Sequence, residues 1–118
     1  LDVSNNINLK NLNINGNLIQ NIDLSNNTDL ERLQIVAWHL IDLDLSNNIN
    51  LEELDLDCGL SSNNTLMSLD LSNNTSLTML NTIGLMNLNC IKVSDVSWAN
   101  SIPDLTIEPQ QYFSLSCP

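Results

Sequence analysis

The sequence predicts an α/β-type or mostly-β solenoid, in which the chain winds into stacked coils with parallel strands and few helices. The hexapeptide LDLSNN stands at residues 43–48 and 69–74, and it recurs with one conservative change at 1–6 and 22–27. A repeat at this spacing is the signature of stacked repeat architectures. Within each copy the aliphatic residues alternate, which places two apolar side chains on one side of an extended segment.

Each repeat contains two half-units, and each half-unit predicts one extended segment. The four hexapeptides start 21, 21 and 26 residues apart. The uniform half carries LDLSNN, whereas the other half, such as LKNLNINGNLI at 9–19, varies from copy to copy. We therefore expect about four coils of 21–26 residues over residues 1–89, with the strands of successive coils about 4.8 Å apart.

An asparagine recurs three residues after the second aliphatic residue of most segments. At an inward corner, its amide can bond the backbone of its own and the next coil, where a tight turn leaves polar groups unpaired. The predicted corner residues are Asn6, Asn17, Asn27, Asn48 and Asn74. The combined pattern, L-x-x-L-x-L-x-x-N, resembles the leucine-rich repeat, and this resemblance implies a right-handed superhelix.

The nested 21-residue form is similar to the leucine-rich repeats of secreted and cell-surface proteins of Bacteroidetes bacteria. The segment CIKVSDVSWANSIPDLTIEPQQYFSLSC at 90–117 resembles their C-terminal cap, which reads C-I-x-V-x-D, a Trp, I-D/E-P, F-S and a final Cys. The resemblance implies a capping segment over 90–118 and a secreted or cell-surface location. In that family a type IX secretion sorting domain commonly follows the cap. The cap residues expected to cover the last coil are Trp98, Ile102, Ile107 and Phe113.

The three cysteines fit this resemblance, which implies that Cys90 and Cys117 form a disulfide. Such a bond indicates an oxidising compartment. The other interpretation is two buried free thiols. Cys58 is left over, and no set of metal ligands surrounds it, since the chain has a single histidine and no C-x-x-C. We therefore expect no metal site of the zinc type.

The charge excludes two classes of partner. The chain has 14 acidic and 3 basic residues, a formal net charge of −11. Nucleic acids and anionic membranes both require a basic surface, so we expect neither as a partner. No apolar run is long enough to span a bilayer, so we expect no membrane insertion.

One acidic residue recurs in every uniform half. Carboxylates stacked about 4.8 Å apart repel one another, so a serine hydroxyl, a backbone N–H or a divalent cation should stabilise them. Weak Ca²⁺ binding is therefore one possibility, although the dense Asp/Gly spacing of calcium repeats is missing. The column contains Asp2, Asp23, Asp44 and Asp70.

The sequence carries no pattern of an active site, so we expect no enzyme and no cofactor. A nucleophilic triad would need His39, and no Gly-rich nucleophile turn lies near any serine. Phosphate-binding glycine motifs are missing as well. Carboxylate pairs such as Glu52 with Glu53, or Asp55 with Asp57, fit a solvated strand face in an acidic protein better than a hydrolase dyad.

The variable half is where a ligand-binding surface is expected. Its outward positions form three columns that change from coil to coil, and stacked strands present such columns as a flat grid. Trp38, at a corner position, and the insertion at 59–65 should lie together at one edge of that grid. Trp38 either serves as a binding residue or fills space under the enlarged loop. The candidate ligand-binding residues are Arg32, Gln34, Val36, Trp38, His39, Glu53, Asp55 and Asp57.

These observations favour a non-enzymatic interaction or adhesion module that binds a protein or a glycan through the variable face. A passive spacer between other domains is the alternative. An accessory region of a larger enzyme is the third possibility, and it requires a catalytic domain elsewhere in a longer chain. Among the candidates, Arg32 is the only positive charge on an otherwise acidic face, and its guanidinium can pair bidentately with a carboxylate or a sulfate.

Overall fold

The structure, a computed structural model, describes residues 1–15, 19–36, 38–59 and 65–118. It is a mostly-β solenoid of about four turns, with two parallel sheets and almost no helix, as predicted. The first sheet has the order β1-β2-β3-β5-β7 and contains β1 (Asn11–Asn15), β2 (Arg32–Val36), β3 (Glu53–Asp55), β5 (Met79–Asn81) and β7 (Asp104–Thr106). The second has the order β4-β6-β8 and contains β4 (Leu69–Asp70), β6 (Cys90–Lys92) and β8 (Tyr112–Ser114). The one helix of the described residues is α1 (Val96–Asn100), which Asp95 caps.

The strand register follows directly from the repeat. Asn11 pairs with Arg32, Arg32 with Glu53, and Glu53 with Met79. The last step contains the five additional residues, and the register of the sheet is unchanged across it. The insertion therefore lies entirely between the strands.

The leucines of the repeat fill the interior of the coils. Leu33, Leu54 and Leu80 stand in one column and are each at most 1% exposed. Burying a leucine side chain stabilises the fold by about 1.5–3 kcal/mol relative to leaving it in water. Because aromatic residues are few, this aliphatic stack forms most of the core.

The uniform halves of the first three coils, at 1–3, 22–24 and 43–45, have no regular strand pairing, and their aliphatic residues other than the exposed Leu1 are buried or partly buried. In each of these halves the backbone N–H of the following serine donates to the preceding aspartate, as the Ser25 N–H does to Asp23 Oδ1 at 2.9 Å. Ser72 makes the same Asx-type bond to Asp70 in the fourth coil, where β4 is paired, so this bond is compatible with sheet pairing.

The corner asparagines form a ladder through the uniform halves. Asn48 Nδ2 donates to Leu24 O at 3.1 Å and to Asn27 O at 2.9 Å. Asn27 and Asn74 make the equivalent pairs of bonds, and all three side chains are fully buried. Both acceptors belong to the preceding coil, so the expectation that each amide bonds its own coil and the next is wrong in that respect. Asn6, in the first coil, is exposed, and Asn17 lies outside the described residues.

The segment 90–118 extends both sheets and closes one end of the solenoid. β7 pairs with β5, and β8 pairs with β6. Ile102 and Phe113 are buried, whereas Trp98 and Ile107 are partly buried and pack against the core.

A disulfide joins Cys90 to Cys117, with their Cα atoms 5.7 Å apart, and Cys58 is a buried free thiol. A closed loop of this length contributes roughly 3.5 kcal/mol in the chain-entropy model.

Candidate recognition face

The outward side chains of the five-stranded sheet stand in columns, as the sequence predicted. The strand register aligns one column as Asn11, Arg32, Glu53, Met79 and Asp104, and a second as Asn13, Gln34, Asp55, Asn81 and Thr106. The two columns are separated by one inward residue per strand, so they project from the same face. Within each column the residue type changes from one coil to the next. We call the face that carries these two columns the variable face.

The variable face contains a shallow open depression of about 390 Å³. Four of the eight predicted ligand-binding residues line it, namely Arg32, Gln34, Glu53 and Asp55. The rest of its lining consists of Asn11, Leu12, Asn13, Leu33 and Met79. These five were not among the candidates, although Asn11, Asn13 and Met79 could have been found because they stand in the same columns. The apolar pair Leu12 and Leu33 gave no such signal because its repeat positions also belong to the core.

Arg32 is engaged within the chain. Its Nε lies 3.0 Å from Glu53 Oε2 in the next coil, and its Nη1 donates to Asn11 Oδ1 at 3.3 Å. The nearby Lys10 is paired in the same way, with its Nζ 3.0 Å from Glu31 Oε1. Both ion pairs are exposed to solvent, so each contributes little to stability. They do, however, neutralise both cations on this side of the molecule.

A second chain of polar contacts crosses the depression. Asn13 Nδ2 donates to Gln34 Oε1 at 2.7 Å, and Gln34 Nε2 makes a long contact of 3.4 Å with Asp55 Oδ2. The other oxygen of Asp55 accepts the Asp57 N–H at 3.1 Å. Each side chain thus fixes the orientation of the next along the column.

The other four candidates lie away from the depression. Val36 is half-buried at the end of β2, and Asp57 accepts the Gly59 N–H at 2.7 Å in the following turn. Trp38 is 47% exposed and His39 is also exposed. The expectation that Trp38 fills space under the enlarged loop stays a prediction, because residues 60–64 of that loop lie outside the described residues.

The insertion at 59–65 is described only at its two ends, and residues 60–64 lie outside the described residues. At its far end, Thr65 Oγ1 donates to Leu40 O at 2.7 Å. This contact brings the end of the insertion next to the coil that carries Trp38 and His39, as predicted.

The acidic column on the uniform halves is stabilised by serine. Bonds from the side chain and backbone of the serine two residues on hold the pKa values of Asp2, Asp23 and Asp44 below the ordinary value. Partial burial acts to raise the pKa of Asp70, but the Ser72 bonds and the Lys92 ammonium outweigh it and lower that pKa. The serine donors and Lys92 therefore stabilise the ionised form of the stacked aspartates without a bound metal ion.

No group of three or more His, Cys, Asp or Glu side chains is placed to hold a metal ion within the described ranges. The same part of the chain has no helix with the length and apolar character needed to cross a bilayer. Comparison with protein-family models, with curated proteins and with solved structures found no match.

Proposed function

We propose that this chain is a non-enzymatic interaction module, which binds a protein or a glycan ligand through the variable face. The observation that carries this proposal is the depression on that face, lined by polar side chains that differ from one coil to the next. The uniform halves differ in this respect, because they repeat the same Asp, Ser and Asn in all four coils. A stacked scaffold that varies on one side only is suited to recognition.

The proposal includes an exported location. The Cys90–Cys117 disulfide favours an oxidising compartment, since such bonds are rare in the reducing cytosol. The resemblance to Bacteroidetes leucine-rich repeat proteins, with their cysteine-bounded cap, supports the finer assignment to a secreted or cell-surface protein.

Retention of the purified chain on arrays of candidate proteins and glycans would test the proposal. The variant for the face carries Gln34→Ala and Asp55→Ala, which remove two polar groups of the depression. The matched control carries Asp42→Ala and Met67→Ala, two exposed residues outside the lining of the depression. We expect the first variant to lose retention and the second to keep it, with both melting within a few degrees of the unmodified chain.

Two results would contradict the proposal that the variable face binds the ligand. If the face variant keeps full retention, or if both variants lose it equally, the variable face is not the recognition surface. Failure of the unmodified chain to bind any immobilised ligand would favour the spacer.

A further inference from the structure

We propose that the depression receives a basic side chain, a lysine or an arginine, presented by an extended segment of a protein partner, and that Asp55 is the anion that selects it. This inference rests on the proposed function and narrows its ligand from protein or glycan to a basic protein segment. Three features of the depression carry it: an unneutralised carboxylate, an apolar lining and the absence of any aromatic surface.

Asp55 is the carboxylate available to a cation. It is half-buried in β3, and the contacts to its oxygens come from the neutral Gln34 amide and the Asp57 N–H. Within the described residues, no basic side chain lies within 4.0 Å of it. The neighbouring Glu53, in contrast, already holds Arg32. A cation arriving at the depression would therefore meet Asp55 without having to break an ion pair.

The apolar lining suits the stem of a basic side chain. Leu12 is partly exposed and lines the depression in the first coil, and Met79 lines it from the edge, whereas the Leu33 side chain is buried in the core. Lysine and arginine bury their methylene stems on such surfaces while the charged head stays hydrated or paired. A bare metal ion would gain nothing from these residues, whereas a lysine stem would.

Other occupants fit less well. Sugar rings stack on aromatic faces, and the lining of the depression contains no aromatic residue; Trp38 lies outside it. A second copy of the chain would bring a net charge of −11 against another −11, and like charges suppress association. An acidic or sulfated ligand would have to compete with Glu53 for Arg32.

The test uses the intact chain, isotope-labelled, and four seven-residue peptides that differ only at three alternating positions. These positions carry lysine, norleucine, diaminopropionate or glutamate. Norleucine keeps the stem without the charge, and diaminopropionate keeps the charge on a much shorter stem. We expect the lysine peptide to shift backbone amide signals of β2 and β3, the diaminopropionate peptide to bind several-fold more weakly, and the other two to leave the signals unchanged.

Two variants locate the interaction. Asp55→Asn and Asp42→Asn each change the net charge from −11 to −10, so a nonspecific attraction would fall equally in both. We expect Asp55→Asn to weaken binding of the lysine peptide by about tenfold, the size of one charged contact, and Asp42→Asn by less than about twofold.

Several outcomes would overturn the inference. They are equal weakening by the two variants, shifts confined to the Asp44 and Asp70 side of the molecule, equal binding of the norleucine peptide, and identical shifts with calcium chloride alone. Retention on a neutral glycan without any response to the lysine peptide would remove this inference and leave the proposed function standing. If the chain shows neither retention on any ligand nor a response to the lysine peptide, both the inference and the proposed function are contradicted.

Discussion

At the scale of single residues, the paired asparagines of the repeat have different roles. The second one is buried and donates twice to the preceding coil, as Asn48 does to Leu24 and Asn27. The first one is exposed and donates once, as Asn47 does to Ser25 O at 3.5 Å. The buried amide is a second donor to two corner carbonyls that each also accept a turn N–H, while its own Oδ1 atom has no partner. The dipeptide thus combines one strong inward contact with one weak outward contact.

Replacing Asn48 with Ala should lower the free energy of unfolding by about 1–3 kcal/mol, because two buried carbonyls each lose one of their two donors and a buried amide is removed from the corner. Asn47→Ala is the matched control from the neighbouring position, and we expect it to cost less than about 0.5 kcal/mol. Chemical denaturation of the two variants would measure the difference. Equal costs would show that the ladder does not stabilise the corner.

Gln111, in the cap, makes backbone hydrogen bonds similar to those of the corner asparagines. Its Nε2 donates to Thr82 O at 3.3 Å and to Leu85 O at 3.1 Å, two carbonyls that lie three residues apart. The spacing matches the carbonyls of Leu24 and Asn27 that Asn48 holds in the uniform half. Unlike the asparagines, Gln111 also uses its oxygen, which accepts Thr82 Oγ1 at 2.5 Å and the Glu108 N–H at 2.9 Å. This buried glutamine therefore performs the corner function for the variable half.

At the scale of elements, the turns that follow the variable strands of the third and fourth coils pack closely against each other. Gly84 has a φ of 85°, and a Cβ placed on it would lie 2.4 Å from the carbonyl oxygen of Gly59. Its position is further fixed by its N–H, which donates to Glu108 Oε1 at 2.9 Å. The turns of two coils thus touch through backbone atoms.

Gly84→Ala should destabilise the chain by about 2–5 kcal/mol, since left-handed strain adds to overlap with a backbone atom that cannot rotate away. Gly59→Ala is the control, because Gly59 also has a positive φ, 64°, but has open space where its Cβ would stand. We expect about 1–2 kcal/mol there, from strain alone. Thermal or chemical unfolding would separate the two, and a similar loss in both would contradict the close contact.

At the scale of the whole molecule, a column of negative charge runs along the uniform halves and ends in a cation. Asp2, Asp23, Asp44 and Asp70 repeat from coil to coil, and Lys92 occupies the next level, with its Nζ 3.8 Å from Asp70 Oδ2. Serine donors lower the pKa values of the aspartates in the folded chain. The ionised form of these stacked aspartates is therefore stabilised by the serine hydrogen bonds of the folded chain.

These shifts predict a dependence of stability on pH. A carboxylate whose folded pKa is depressed contributes stability above its unfolded pKa and loses it as pH falls through the folded pKa. The reference value is 3.8, so stability should fall progressively below about that pH. An Asp23→Asn variant should show a shallower fall than Asp29→Asn, because Asp29 is exposed and stands outside the column. Unfolding measured between pH 5 and about pH 2 would test this, and identical profiles would contradict it.

The sequence by itself determined the period, and the period determines the backbone. Identical spacing places Leu33 above Leu12 and below Leu54, so the parallel register and the columns of the variable face could be predicted before any side-chain contact was known. Only the tertiary structure decided which neighbouring groups those side chains contact. Arg32 pairs with Glu53, Trp38 is exposed, and Gln111 serves as a corner residue, although nothing in its local sequence resembles the asparagine motif. The physical reason is distance along the chain: register depends on a short repeated pattern, whereas these contacts depend on groups brought together from coils more than twenty residues apart.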